Sequence, residues 1–173
     1  MTINLPQSIE CDCSEYLNNY IPIYKYLPVG SVFKRVKVRN KNNYLYKVEQ
    51  KIDKAFAEEY QNLSLRSVVA STSKDKATYV EDATLYRIYP INGYRILYNP
   101  VGASYKDIVK PLDSIQNDIN LSNELFQLAF VEGSLKDAVE NESDIIIYGI
   151  KYFYAIDANF MEEITNGLKQ FAD

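Results

Sequence analysis

The 173-residue chain contains no histidine and no tryptophan, and it has only two cysteines, six glycines and six prolines. Without an imidazole, this chain supplies no Ser-His-Asp triad, no Cys-His pair and no H-E-x-x-H zinc helix. Cys11 and Cys13, separated by Asp12, offer two metal ligands at most. They are also too close in sequence for an unstrained disulfide, and they read as reduced thiols or local polar filler. The scarcity of glycine and proline argues against a linker-rich or collagen-like chain. No apolar run approaches the length of a membrane span, and the N-terminus has no basic segment followed by an apolar one. The expectation is a soluble protein of the cytoplasm or, after delivery, of a host cytoplasm. Lys and Arg total 19 against 23 Asp and Glu, a formal charge of -4, so no strong nucleic-acid footprint is expected.

What is present is apolar and phenolic. Hydrophobic residues make up 47% of the chain, and tyrosine occurs sixteen times. The length suits one domain able to bury a sizeable core. Most of its aromatic surface carries a hydroxyl that needs a partner. The available chemistry therefore rests on carboxylates, hydroxyls, Lys, Arg and backbone groups.

Pro6, Pro22, Pro28 and Gly30 punctuate residues 1–30, which read as irregular apart from a short helix capped by Ser14. Ser31 to Val38 alternates as a first strand. Asn40 to Asn43 is a turn or loop, and the stretch after it, through Leu63, has the three-and-four spacing of an amphipathic helix. Leu65 to Ser71 and Thr84 to Tyr89 read as strands. Pro90, Asn92 and Gly93 form a turn before Tyr94 to Tyr98, consistent with a hairpin or a bent pair of strands. Residues 107–139 are helical in pattern, divided by Pro111 and Gly133, with Ser122 and Ser134 as caps. Asp144 to Tyr148 and Lys151 to Ile156 are strands, and residues 157–173 close with a helix. The pattern predicts one α+β domain of five to seven strands.

Three features could carry chemistry. Arg35 lies inside an otherwise apolar strand, where its guanidinium points either to solvent, the simpler reading, or into a cleft as a bidentate clamp for phosphate or carboxylate. Ser71, Thr72 and Ser73 place three hydroxyls where a strand opens into a loop. Glu140, Glu142 and Asp144 alternate into an aliphatic strand, and like charges on one face raise a pKa. Tyr79, Tyr86 and Tyr89 could stack on a base, although packing accounts more simply for tyrosines in such number.

Arginine near a first strand, a helix, S-T-S at a strand end, YRIYPINGYRI at Tyr86 to Ile96, and E-x-E before a hydrophobic strand occur here in that order. The order resembles the mono-ADP-ribosyltransferase toxins and effectors of the Arg, Ser-Thr-Ser, Glu-x-Glu class. The resemblance implies a split mixed or antiparallel β core flanked by helices over residues 31–156, and NAD as co-substrate. It implies that Arg35 binds the dinucleotide and that Ser71, supported by Thr72 and Ser73, braces the site. Read literally, E-x-E makes Glu142 the catalytic carboxylate and gives Glu140 an arginine acceptor to engage. A register two residues later makes Asp144 catalytic. Aspartate is one methylene shorter, and a displacement of about 1 Å costs on the order of 100-fold. A different class fits the same tyrosine-rich, acidic chain: a catalytically silent binder, such as an inhibitor or a phage or pathogen accessory protein recognising a host target. A third possibility is an assembly subunit whose motif is accidental. Convergence of Arg35, Ser71 and one of Glu142 or Asp144 would distinguish the first reading from the second.

Overall fold

A computed structural model describes residues 5–38, 67–115, 124–126 and 128–160. The helix expected after Asn43, the cap at Ser122 and most of the closing helix lie outside the described residues. Four helices are used below: α1 (Gln7–Asp12), α2 (Ser14–Asn18), α3 (Tyr105–Asp113) and α4 (Leu135–Glu140). The strands are β1 (Tyr24–Pro28), β2 (Phe33–Lys37), β3 (Val68–Ser71), β4 (Ala83–Pro90), β5 (Arg95–Tyr98), β6 (Val131–Gly133), β7 (Asp144–Tyr148) and β8 (Tyr152–Asp157). They form an eight-stranded sheet in the order β2-β8-β4-β1-β3-β7-β5-β6. Every described pairing is antiparallel. The architecture is α+β, an antiparallel sheet flanked by helices.

The ladders are uneven. β1 runs in register with β4 from Tyr24↔Arg87 to Pro28↔Ala83, and β3 with β7 from Val68↔Ile147 to Ser71↔Asp144. β1 and β3 share one registered pair, Tyr24↔Ser71. The sheet therefore consists of two four-stranded halves joined at a single bridge. Two short connections also link the halves, from Pro90 to Arg95 and from Tyr148 to Tyr152.

β7 shows why the aliphatic run falls where it does. Its residues are all buried. Ile145 and Ile147 enter one hydrophobic cluster with Val68, Ala70, Ile96, Leu135 and Ala138. Ile146 and Tyr148 enter a second with Leu97, Val109, Leu112, Phe126 and Phe130. A strand covered on both faces has no use for polar alternation. Its burial contributes roughly 1.5–3 kcal/mol per large side chain.

The structure corrects several expectations. Residues 7–28, expected to be mostly irregular, hold α1, α2 and the central strand β1. Ser14 is not a cap; it lies inside α2, and its hydroxyl donates to Asn92 at 3.3 Å. Tyr94 to Tyr98 does not return on Thr84 to Tyr89 as a hairpin, because β4 pairs with β1 and β8 whereas β5 pairs with β6 and β7. Pro111 lies within α3 rather than dividing the region. Cys13 is no polar filler: it is fully buried in the first cluster, where burial and then Asp12 push its thiol up to about 12. Ser134 does cap α4, through a reciprocal box with Asp137.

Candidate functional site

Ser71 ends β3 and Asp144 begins β7, and the two are directly opposed in the ladder. Opposed residues of an antiparallel pair project from the same face, so a hydroxyl and a carboxylate far apart in sequence stand side by side. Ser71 Oγ accepts the Ser73 N–H at 3.1 Å, a local turn that holds Thr72 and Ser73 at the strand end. Asp144 retains only 8% exposure, and its Oδ2 accepts the Tyr105 N–H at 2.8 Å. That N–H belongs to the first turn of α3, where no carbonyl of the helix can reach it. Burial raises the carboxyl above the ordinary aspartate value. The Tyr105 N–H opposes the shift, Asp107 adds to it, and Lys76 and Lys25 oppose it.

A buried polar scaffold holds this arrangement. The Asn99 N–H donates to Ser143 Oγ at 2.6 Å, and Ser143 Oγ donates to the Asp144 carbonyl. Asn99 Oδ1 accepts the N–H groups of Val101 at 3.0 Å and Ala103 at 3.1 Å, while its Nδ2 donates to the Ala129 carbonyl at 2.8 Å. These bonds set the loop that delivers Tyr105. Gly102, at φ +75°, lies against the Asn141 carbonyl, where a Cβ would collide with that oxygen. Asn99, Ser143 and Tyr105 were not identified from sequence. The available signal was an asparagine just after the strand YRILY and before Pro100.

The remaining candidates lie apart from this pair. Glu140, Glu142 and Asp144 do not alternate along one strand, since Glu140 is the last residue of α4 and only Asp144 is in β7. The Glu142 N–H bonds the Val139 carbonyl and the Ser143 N–H bonds the Ala138 carbonyl, a Schellman ending with Glu142 at φ +51°. Its side chain is 77% exposed and pairs with Lys76 at 3.2 Å. Glu140 pairs with Lys136 across one helical turn, at 4.0 Å. Arg35 is exposed on β2, with β8, β4 and β1 between it and β3, and its guanidinium lies 5.1 Å from the Tyr152 ring centre. Tyr86 and Tyr89 are core residues, whereas Tyr79 is exposed and packs edge-on against Tyr26.

A different arginine shares the face of Ser71 and Asp144. Arg87 pairs with Tyr24, Tyr24 with Ser71, and Ser71 with Asp144, so one row of side chains crosses β4, β1, β3 and β7. Arg87 is half-buried among tyrosines. Its Nη1 donates to Tyr20 Oη at 3.5 Å, and its Cζ lies 6.0 Å from the Tyr24 ring centre. Among the described residues its buried Nε has no hydrogen-bond partner, a state that costs about 1–3 kcal/mol or more for a charged group. Burial works against its charge, but Tyr20, Tyr24 and Tyr89 more than offset this, and its pKa is raised. The sequence carried a signal here as well, an arginine inside the apolar strand TLYRIY, of the same kind that singled out Arg35.

Elsewhere, a groove of about 960 Å³ runs between α2 and β5, β6 and α4, lined by Tyr20, Tyr94, Arg95, Glu132, Ser134 and Leu135 among others. Among the described residues, no group of three or more Cys, Asp or Glu could hold a metal ion, and no helix is long and apolar enough to cross a membrane. No protein-family model, curated protein or solved structure matches the chain.

Proposed function

We propose that the chain transfers ADP-ribose from NAD to a macromolecular acceptor, with Asp144 rather than Glu142 as the catalytic carboxylate. The supporting observation is the Ser71↔Asp144 pair, which joins the end of the S-T-S strand to the start of the aliphatic strand. In this reaction the bond between the nicotinamide nitrogen and the ribose carbon breaks, and its electrons leave with nicotinamide. The acceptor nucleophile bonds to that carbon and releases its proton. Positive charge develops on the ribose, and a carboxylate fixed beside it stabilises that charge without an imidazole or a metal. The Tyr105 N–H holds the carboxylate in place, and Ser71 stands opposite it in the ladder. The single bridge between β1 and β3 supports reading the fold as the split core of an ADP-ribosyltransferase. With Glu140 and Glu142 both outside the pair, an arginine acceptor loses its support from E-x-E, and the acceptor is assigned only as a protein.

The test is incubation with labelled NAD and lysate. Asp144→Asn is expected to lower transfer by about 100-fold or more, with Glu142→Gln close to wild type. The reverse pattern would return the role to Glu142, and failure of the wild type to bind NAD or release nicotinamide would remove the transferase reading. A second reading, a silent protein binder, draws on exposed Val29, Val32 and Phe33 beside the β2 edge. It predicts that Phe33→Glu abolishes complex formation with a host protein while Asp144→Asn does not.

A further inference from the structure

We propose that Arg87, not Arg35, is the receptor for the diphosphate of the substrate dinucleotide, with the hydroxyls of Tyr20 and Tyr24 beside it. This rests on the transferase reading and adds to it the residue that holds the anion. Three observations converge on Arg87. It belongs to the same registered row as Ser71 and Asp144, and a row of opposed residues shares one face, so a ligand lying across β1 reaches both ends. Adjacent strands are about 4.8 Å apart, which puts β4 about 14 Å from β7 along the sheet. A dinucleotide with its ribose at Asp144 extends toward Arg87.

The second observation is the incomplete satisfaction of the guanidinium. Among the described residues, its contacts are Tyr20, Tyr24 and Tyr89, none of them a carboxylate, and its buried Nε has no acceptor. Arginine in such a setting normally has an anion, since its planar fork matches carboxylate and phosphate oxygens. Arg95, by contrast, has Glu132 as its partner. The third observation is how the helices sit. On Arg87's face, α1 and α2 reach β4 and β8, with Cys13 bonded to the Tyr89 carbonyl and Asp12 to Tyr154. α3 packs on β5 and β7 through Val109 and Leu112. Tyr20, which follows α2 and is 41% exposed, bonds Arg87 from the rim.

Calorimetric titration with inorganic pyrophosphate, ADP-ribose and adenosine tests this directly. Wild type should bind pyrophosphate and ADP-ribose, Arg87→Gln should bind both at least about tenfold more weakly, and Arg87→Lys should fall between. Adenosine, which has no phosphate, should not distinguish them. Arg35→Ala should bind like wild type. If circular dichroism shows that Arg87→Gln does not hold its fold, Arg87→Lys and Tyr20→Phe make the same comparison. Equal binding by the folded Arg87 variants, or no binding of pyrophosphate and ADP-ribose by wild type, would overturn the proposal. Nicotinamide release separates the two readings. Arg87-dependent ADP-ribose binding without release keeps the anion site and removes the transferase. Release that survives Arg87→Gln at an unchanged KM does the opposite.

Discussion

The two halves of the sheet solve the same burial problem with different side chains. The half made of β2, β8, β4 and β1 is phenolic, and its buried tyrosines are tied by their hydroxyls. Tyr16 donates to the Ile21 carbonyl at 2.7 Å, Tyr86 to the Ser31 carbonyl at 3.0 Å and Tyr154 to Asp12 at 2.6 Å. The half made of β3, β7, β5 and β6 is aliphatic, with Ile145, Ile146, Ile147 and Leu97 at its centre. Its buried polar groups gather at one end, as Ser71, Asn99, Ser143 and Asp144. The phenolic half gains orientation from each hydroxyl, whereas the aliphatic half gains density and concentrates its polarity beside the joint. The bridge Tyr24↔Ser71 is where the two meet, and the candidate site spans it.

The largest expected effect comes from breaking the aliphatic half. Ile145→Ala, at a fully buried position on a strand covered on both faces, should lower unfolding free energy by about 2–5 kcal/mol. Tyr154→Phe on the other side removes one hydroxyl and should cost about 1 kcal/mol. Urea titration of the two variants checks the contrast, and equal losses would mean that the halves are not built differently.

The polar end of the aliphatic half should be visible in pH dependence. Burial raises the Asp144 carboxyl in the folded state above its ordinary value of 3.8. As pH climbs through that value, the unfolded chain loses this proton while the folded chain keeps it. Stability therefore falls across the window from about pH 4 up to the raised value and stays lower above it. Asp144→Asn should remove that fall, which denaturant midpoints across the window would show. A slope that persists unchanged would assign it to other groups.

The smallest effect is expected at the junction between α4 and β7. Glu142 occupies the left-handed position of a helix ending, where an L-residue costs about 1–2 kcal/mol and glycine does not. Glu142→Gly forfeits the exposed Lys76 pair, worth about 0–1 kcal/mol. A net gain of about 1 kcal/mol should appear as a higher melting temperature. A loss would mean that Glu142 does more than end the helix.

Much of the strand content was legible from local pattern. The alternation in TLYRIY, the apolar run DIIIY and the cap at Ser134 each depend on neighbours within a few residues, and the structure bears them out. β1 was missed because YKYLP is short, bracketed by Pro22 and Pro28, and has no strong apolar face of its own. Its identity as a strand comes from two partners remote in sequence, β4 and β3. The three alternating carboxylates were misplaced for a related reason. Their spacing of two has meaning only in extended chain, and α4 runs as far as Glu140.

The sequence by itself determined the chemistry available to this protein. With no histidine, catalysis by its own side chains runs without an imidazole, and that follows from composition alone. It also determined those extended segments whose pattern is local, such as TLYRIY and DIIIY. Only the tertiary structure decided which of the charged residues stand together. Strand order set three strands between Arg35 and β3 and put Arg87 on the row of Ser71 and Asp144. Pairing between distant strands is set by how both faces of the sheet are covered, so no local reading of either arginine could have told them apart.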